Sequence, residues 1–156
     1  MTTQKFGMHL LLHSAALVEE RLRQRLADLG VPPRQARMLG ALDRIGPTSQ
    51  ADLARAFDIK PASMSTMTVR LIEAGLISRE VHPSEVRSNI LTLTTRGKGL
   101  LAEIHAAWRD IDDLIADVIG AEGAAQLSAL TGELRDGLGG QAPSCDLAGM
   151  VSSEKA

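Results

Sequence analysis

The stretch from Ser49 to Thr94 constrains the fold more than any other part of the chain. Two short helical patterns, 49–57 and 60–74, are separated by a break with room only for a tight turn. Leu53, Ala54 and Phe57 share one face of the first, and Met64, Met67 or Thr68, and Leu71 share one face of the second. Ser49 suits an N-cap, and Asp52 stands three residues on at the capping-box position, although its side chain is shorter than the preferred Glu. Pro61 opens the second helix, where a missing N–H costs nothing. After Gly75, the β-prone runs Ile77–Val81 and Ile90–Leu93 bracket a polar loop, His82–Asn89, which predicts a hairpin.

Long helices flank this unit. From Lys5 to Leu29, apolar positions Leu11, Ala15, Val18, Leu22, Leu26 and Leu29 recur at three- and four-residue spacing, and Gly30 ends the pattern. A second helix starts at Pro33 and runs to about Ile45, with Met38, Leu42 and Ile45 inward, and Gly46-Pro47 closes it. Thr94 can cap a fifth helix carrying Leu101, Ile104, Trp108, Ile111, Ile115 and Val118, a heptad seam that suits packing against another helix along its length. Gly120 breaks it, and Leu127, Leu130, Leu134 and Leu138 mark a sixth. Beyond Gly139 the sequence is aperiodic and reads as a flexible tail, 140–156.

Composition narrows the class. Hydrophobic residues make up 44% and aromatic residues 2% of the 156, so the core must be aliphatic, which disfavours an all-β sandwich. The single cysteine, Cys145, excludes an internal disulfide; it lies in the tail with no basic neighbour, so a bystander thiol is a better reading than a redox sensor. The N-terminus lacks a basic region followed by a long apolar core, and no stretch approaches the roughly 20 apolar residues of a membrane helix. A cytoplasmic protein without membrane contact is expected. The net charge of −2 conceals a division: 60–99 carries +3 and 100–139 carries −6. A basic surface on an acidic support suits attraction to phosphates, though scatter among solvated faces produces similar splits.

The outward face of the second short helix is small and polar, with Lys60, Ser63, Thr66 and Arg70 and with Ser65 at its edge. Such a face can enter a DNA major groove, about 12 Å wide, and the hairpin beside it carries Arg87 near its tip. A solvated turn arginine is the plainer reading of Arg87 taken alone.

These residues resemble the MarR (multiple antibiotic resistance regulator) winged-helix transcription factors. The matching motifs are Gly46-Pro47, Gln50-x-x-Leu53-Ala54, Ser63-x-Ser65, Glu73-Ala74-Gly75-Leu76-Ile77, Glu85-x-Arg87 and Leu93-Thr94-x-x-Gly97. The flanking helices agree in order, so the resemblance spans about residues 5–139. It implies a mainly α fold with a small β-hairpin wing, in which 33–94 form a winged helix-turn-helix lobe and 5–29 and 95–139 form a helical dimerisation lobe. It also implies a homodimeric repressor on a pseudo-palindromic double-stranded DNA operator, released by a small-molecule effector.

Carried over residue by residue, Ser63, Ser65, Thr66 and Arg70, with Lys60, face the major groove, while Arg87 enters the minor groove and Ser88 is a further DNA-binding candidate. Ser49, Gln50 and Lys98 contact phosphates. The chain departs from the family at Glu85, where Asp is usual, at Val86 and His82, and at Thr66, where Arg is frequent, so its base preference is its own.

The resemblance places effector pockets between the first, second and fifth helices, which makes His9, His13, Met38 and Trp108 the candidate lining. His9 and His13 lie one helical turn apart without an accompanying acidic or cysteine cluster, so partly buried packing positions are a better reading than metal ligands. No phosphate-loop, nucleophile-elbow or zinc-protease motif occurs. The chain is read as a regulator, not an enzyme, with no cofactor and no metal. The second reading is a protein-interaction module built on a degenerate winged helix.

Overall fold

The structure is a computed structural model that describes residues 6–82 and 85–140, with the side chains of 82–89 outside the description. The order of elements is α1 (Gly7–Leu26), a 3₁₀ turn (Ala27–Leu29), α2 (Pro33–Ile45), β1 (Thr48–Ser49), α3 (Gln50–Ala56), α4 (Pro61–Glu73), β2 (Ile77–His82), β3 (Glu85–Leu93) and α5 (Thr95–Gly137). Pro33 and Pro61 both stand in the first turn of their helices, where a fixed φ favours the start. Gly120 interrupts α5 with φ 82° and ψ 157°, dividing it into an arm before and an arm after that residue.

The three strands form an antiparallel sheet in the order β1-β3-β2. β1 is only two residues long, pairing Thr48 with Leu91 and Ser49 with Ile90. Nothing local marks it as a strand; it exists because β3 lies beside it. The hairpin is longer than the sequence reading expected. β3 starts at Glu85 rather than Ile90, and β2 reaches His82. The register breaks after Val81, which pairs with Asn89, whereas His82 pairs with Glu85. The polar residues of 82–89 hid this part of the ladder, because an alternating apolar pattern is what marks a strand in sequence.

The core is aliphatic, as composition required. Leu26, Met38, Leu39, Leu53, Met64, Leu71, Ile77, Leu91 and Ile104 are its largest fully buried hydrophobic side chains. They come from α1, α2, α3, α4, the sheet and α5, so one core ties the short helices to the long ones. The heptad seam does not act as a free seam along its whole length: Leu101, Ile104 and Ile111 are buried within the chain's own fold, and only its far end, at Val118, is 75% exposed. Trp108 packs on α2 so closely that a Cβ at Gly40 would come within 2.6 Å of the indole ring.

The base of the hairpin is fastened to the start of α5. Thr94 Oγ1 accepts from the Gly97 N–H (3.0 Å) as an N-cap and donates to the Gly75 carbonyl (2.6 Å), while Thr94 N–H donates to the Leu76 carbonyl (3.1 Å). This anchors the hairpin beside α4.

Candidate nucleic-acid interface

α3 is set by its cap. Ser49 Oγ accepts from the Asp52 N–H (3.1 Å) and donates its proton to Asp52 Oδ2 (2.7 Å). An Asp is too short for the return bond to the cap backbone, and its carboxylate takes the hydroxyl proton instead. Asp52 Oδ1 then pairs with Arg55. The hydrogen bonds from Ser49 and Arg55 hold the Asp52 carboxyl below the usual carboxylate range. Ser49 was expected at a phosphate; its hydroxyl is committed to the cap.

The turn from α3 to α4 passes through Asp58 at φ 50°, a left-handed conformation that Asp tolerates better than most residues. Ile59 N–H donates to the Ala54 carbonyl, closing the turn. α4 then buries Met64, Thr68 and Leu71 and leaves Lys60, Ser63, Thr66 and Arg70 exposed, with Ser65 half-buried. Thr66 donates its hydroxyl proton to the Ala62 carbonyl (3.1 Å), which leaves a methyl group and an acceptor for outside partners.

A groove of about 620 Å³ runs between the start of α3, the turn, the start of α4 and β2. Among the residues expected at DNA, Ser49, Gln50 and Ser65 line it, together with Arg55, Asp58 and Arg79. Lys60, Ser63, Thr66 and Arg70 belong to the adjoining exposed face of α4. Lys98 is exposed in the first turn of α5 and does not line the groove. Arg87 and Ser88 belong to β3, but their side chains lie outside the described residues, as does Cys145 altogether.

Arg79 was missed by the sequence reading. Its Nη2 donates to Gln50 Oε1 (3.1 Å) across 29 residues of sequence. The available signal was period-2 alternation: Ile77, Arg79 and Val81 share one face of β2, and an arginine stands where that face otherwise asks for an apolar residue.

None of the cavities lined by described residues alone gathers the four effector candidates. Met38 is 1% exposed in the core; it borders a cavity of about 80 Å³ with Arg34, Arg37, Phe57, Ile59, Met64 and Met67. Trp108 is half-buried beside His105, with ring centroids 5.2 Å apart. His9 and His13 are exposed on α1 rather than partly buried, with the Phe6 ring edge-on to His9 at 6.0 Å between centroids. Among the described residues no group of three or more His, Cys, Asp or Glu side chains could hold a metal ion, and no helix is long and apolar enough to cross a membrane.

Known proteins share both the sequence pattern and the fold. A family model described as MarR family matches residues 29–88. The HTH-type transcriptional repressor Rv2887 of Mycobacterium tuberculosis is 31% identical over 104 residues, which cover 67% of this chain and 75% of that protein. The putative transcriptional regulatory protein for the hcr operon of Thauera aromatica is 31% identical over 119 residues, 76% of this chain and 72% of its own. Among solved structures, the S. aureus MepR–DNA complex superimposes with a TM-score of 0.76 at 20% identity, over 86% of this chain and 99% of that one. A mutant E. coli MarR complexed with operator DNA gives 0.75 at 19% identity, over 83% and 94%. The chain therefore belongs to the MarR family of winged helix-turn-helix transcriptional regulators, and it is a regulator rather than an enzyme.

Proposed function

We propose that the protein binds double-stranded DNA as a homodimer, represses transcription from a pseudo-palindromic operator, and is released by a small-molecule effector. The observation that carries this reading is the exposed polar face of α4, continuous with the groove at the start of α3 and flanked by the hairpin. Ser63, Thr66 and Arg70 lie on that face and Ser65 on its rim, at the positions from which a recognition helix reaches base edges and flanking phosphates. Lys60, Gln50 and Lys98 supply donors toward the backbone. Arg87 is the residue assigned to the minor groove in this reading, and Ser88 beside it in sequence is a further DNA contact.

Support for a dimer comes from what the single chain leaves uncovered. Leu10, Leu12 and Leu17 on α1, Leu127, Leu130 and Leu134 on the second arm of α5, and Leu138 at its C-cap are all exposed. A groove of about 500 Å³ between these helices is lined by Leu11, Ala15, Val18, Ile115 and Leu127. Apolar exposure on this scale marks an interaction surface, and a two-fold protein fits two half-sites about one helical turn, ~10 base pairs, apart. An effector would act by favouring a spacing of the two lobes that misfits the half-sites. His9, His13, Met38 and Trp108 remain its candidate contacts, on α1, α2 and α5.

A mobility-shift titration of the region upstream of the protein's own gene tests the reading. Arg70→Ala and Arg87→Ala are each expected to weaken binding by at least about 10-fold with the thermal midpoint kept. The absence of any salt-sensitive, sequence-preferring shift with the native protein would overturn it.

A further inference from the structure

Arg79 and Gln50 present a feature that the α4 face does not explain. Arg79 lies on the core-side face of β2, opposite Leu91 in the register, yet its side chain is exposed and runs past the core edge to α3. Its described partner is an uncharged side chain, Gln50, and the salt bridges among the described residues do not include it. The other arginine of the groove, Arg55, is paired with Asp52. Among the described residues, Arg79 is therefore the guanidinium lining this groove that pairs with no carboxylate.

The pairing also fixes Gln50. A guanidinium can only donate, so the atom of Gln50 that meets Arg79 must be the carbonyl oxygen. The carboxamide NH₂ is then turned away from Arg79 with its donors available. Among the described residues, four of the five guanidinium N–H groups are likewise left over from the single bond to Gln50. The rim thus combines one fixed positive charge with one neutral donor group and offers them to an acceptor-only partner. A phosphodiester of the DNA backbone is such a partner, and it is the group that a helix-turn-helix lobe must hold beside the major groove.

We propose that Arg79 and Gln50 form a two-part phosphate clamp, in which Arg79 supplies the charge and also positions Gln50 as a neutral donor. This rests on the DNA-binding reading given above and adds to it a residue and a coupling. A backbone contact adds affinity without reading sequence, so the clamp strengthens binding to every duplex equally.

The test is a set of mobility-shift titrations across a range of salt concentrations. The probes are the duplex from upstream of the protein's own gene and a scrambled duplex of equal length. Arg79→Gln is expected to weaken binding to both duplexes by a similar factor, about 10-fold. The slope of log affinity against log salt should fall by about one per protomer, since one cation fewer displaces counterions. Gln50→Ala is expected to weaken binding about threefold with the slope kept, and the double variant to be no weaker than Arg79→Gln alone. An unchanged slope in Arg79→Gln, or independent losses that multiply in the double variant, would overturn the clamp. Arg70→Ala in the same assay separates the two ideas: if it weakens binding while Arg79→Gln does not, the clamp falls and DNA binding stands. If native protein shifts neither duplex, both fall.

Discussion

Gly97 shows how a single hydrogen atom can be the only side chain that a junction admits. A Cβ at this buried position would come within 2.1 Å of the Leu76 carbonyl oxygen, which also accepts from Thr94 N–H. The clash is with backbone on the fastened side of the hairpin, so relief requires moving α5 away from β2. Gly97→Ala is expected to cost more than about 2 kcal/mol and to lower the thermal midpoint by about 5 °C or more; an unaltered midpoint would mean that the junction yields. Thr68 presents the opposite case. Its hydroxyl is fully buried in α4 without a hydrogen-bond partner among the described residues. Thr68→Val keeps the shape and removes the unpaired group, so a gain of about 1 kcal/mol is expected in a denaturant titration.

At the scale of elements, α1 and α5 carry a division that the heptad pattern could not express. Periodicity identifies an apolar face but not what covers it. Half of the seam faces the chain's own core through Leu101, Ile104 and Ile111, while Ile115 lines the open groove beside α1. Asp112 also lines that groove, and burial first, then the neighbouring Asp113, pushes its carboxyl above the usual carboxylate range. A carboxyl raised on folding contributes stability that is complete below the unfolded value, about 4, and is lost as pH rises through the folded value. At pH 7 the ionised Asp112 therefore opposes folding. Asp112→Asn is expected to unfold at higher denaturant than the native protein at pH 7, with the advantage shrinking toward pH 4; an advantage independent of pH would remove titration from the explanation.

Across the whole molecule, two exposed surfaces differ in character: the leucines of α1 and of the second arm of α5 form one, and the polar face of α4 forms the other. If the first is a self-association surface, placing charge on it must uncouple two lobes that otherwise share one operator. Leu130→Glu with Leu134→Glu is expected to give a monomer in sedimentation equilibrium and to cost at least about 100-fold in operator affinity, because linked binding of two half-sites is lost. A variant that stays dimeric and binds normally would move the interface elsewhere. Both positions are exposed in the single chain, so the fold itself should survive.

What the sequence determined by itself was local. Helix starts at Pro33 and Pro61, the cap at Ser49, the break at Gly120 and the order of elements follow from backbone sterics and apolar spacing within a few residues. Those rules also placed Ser63, Thr66 and Arg70 on the open face of α4. The tertiary structure decided everything that depends on a partner far away in sequence. β1 is a strand only because β3 pairs with it, Ser49 is occupied by its own cap, and the heptad seam is half consumed inside the chain. Arg79 meets Gln50 because the sheet folds back onto α3. Periodicity fixes the direction of a side chain relative to its own element, whereas the neighbour it meets is set by how elements pack, and it is that neighbour which gives a polar residue its role.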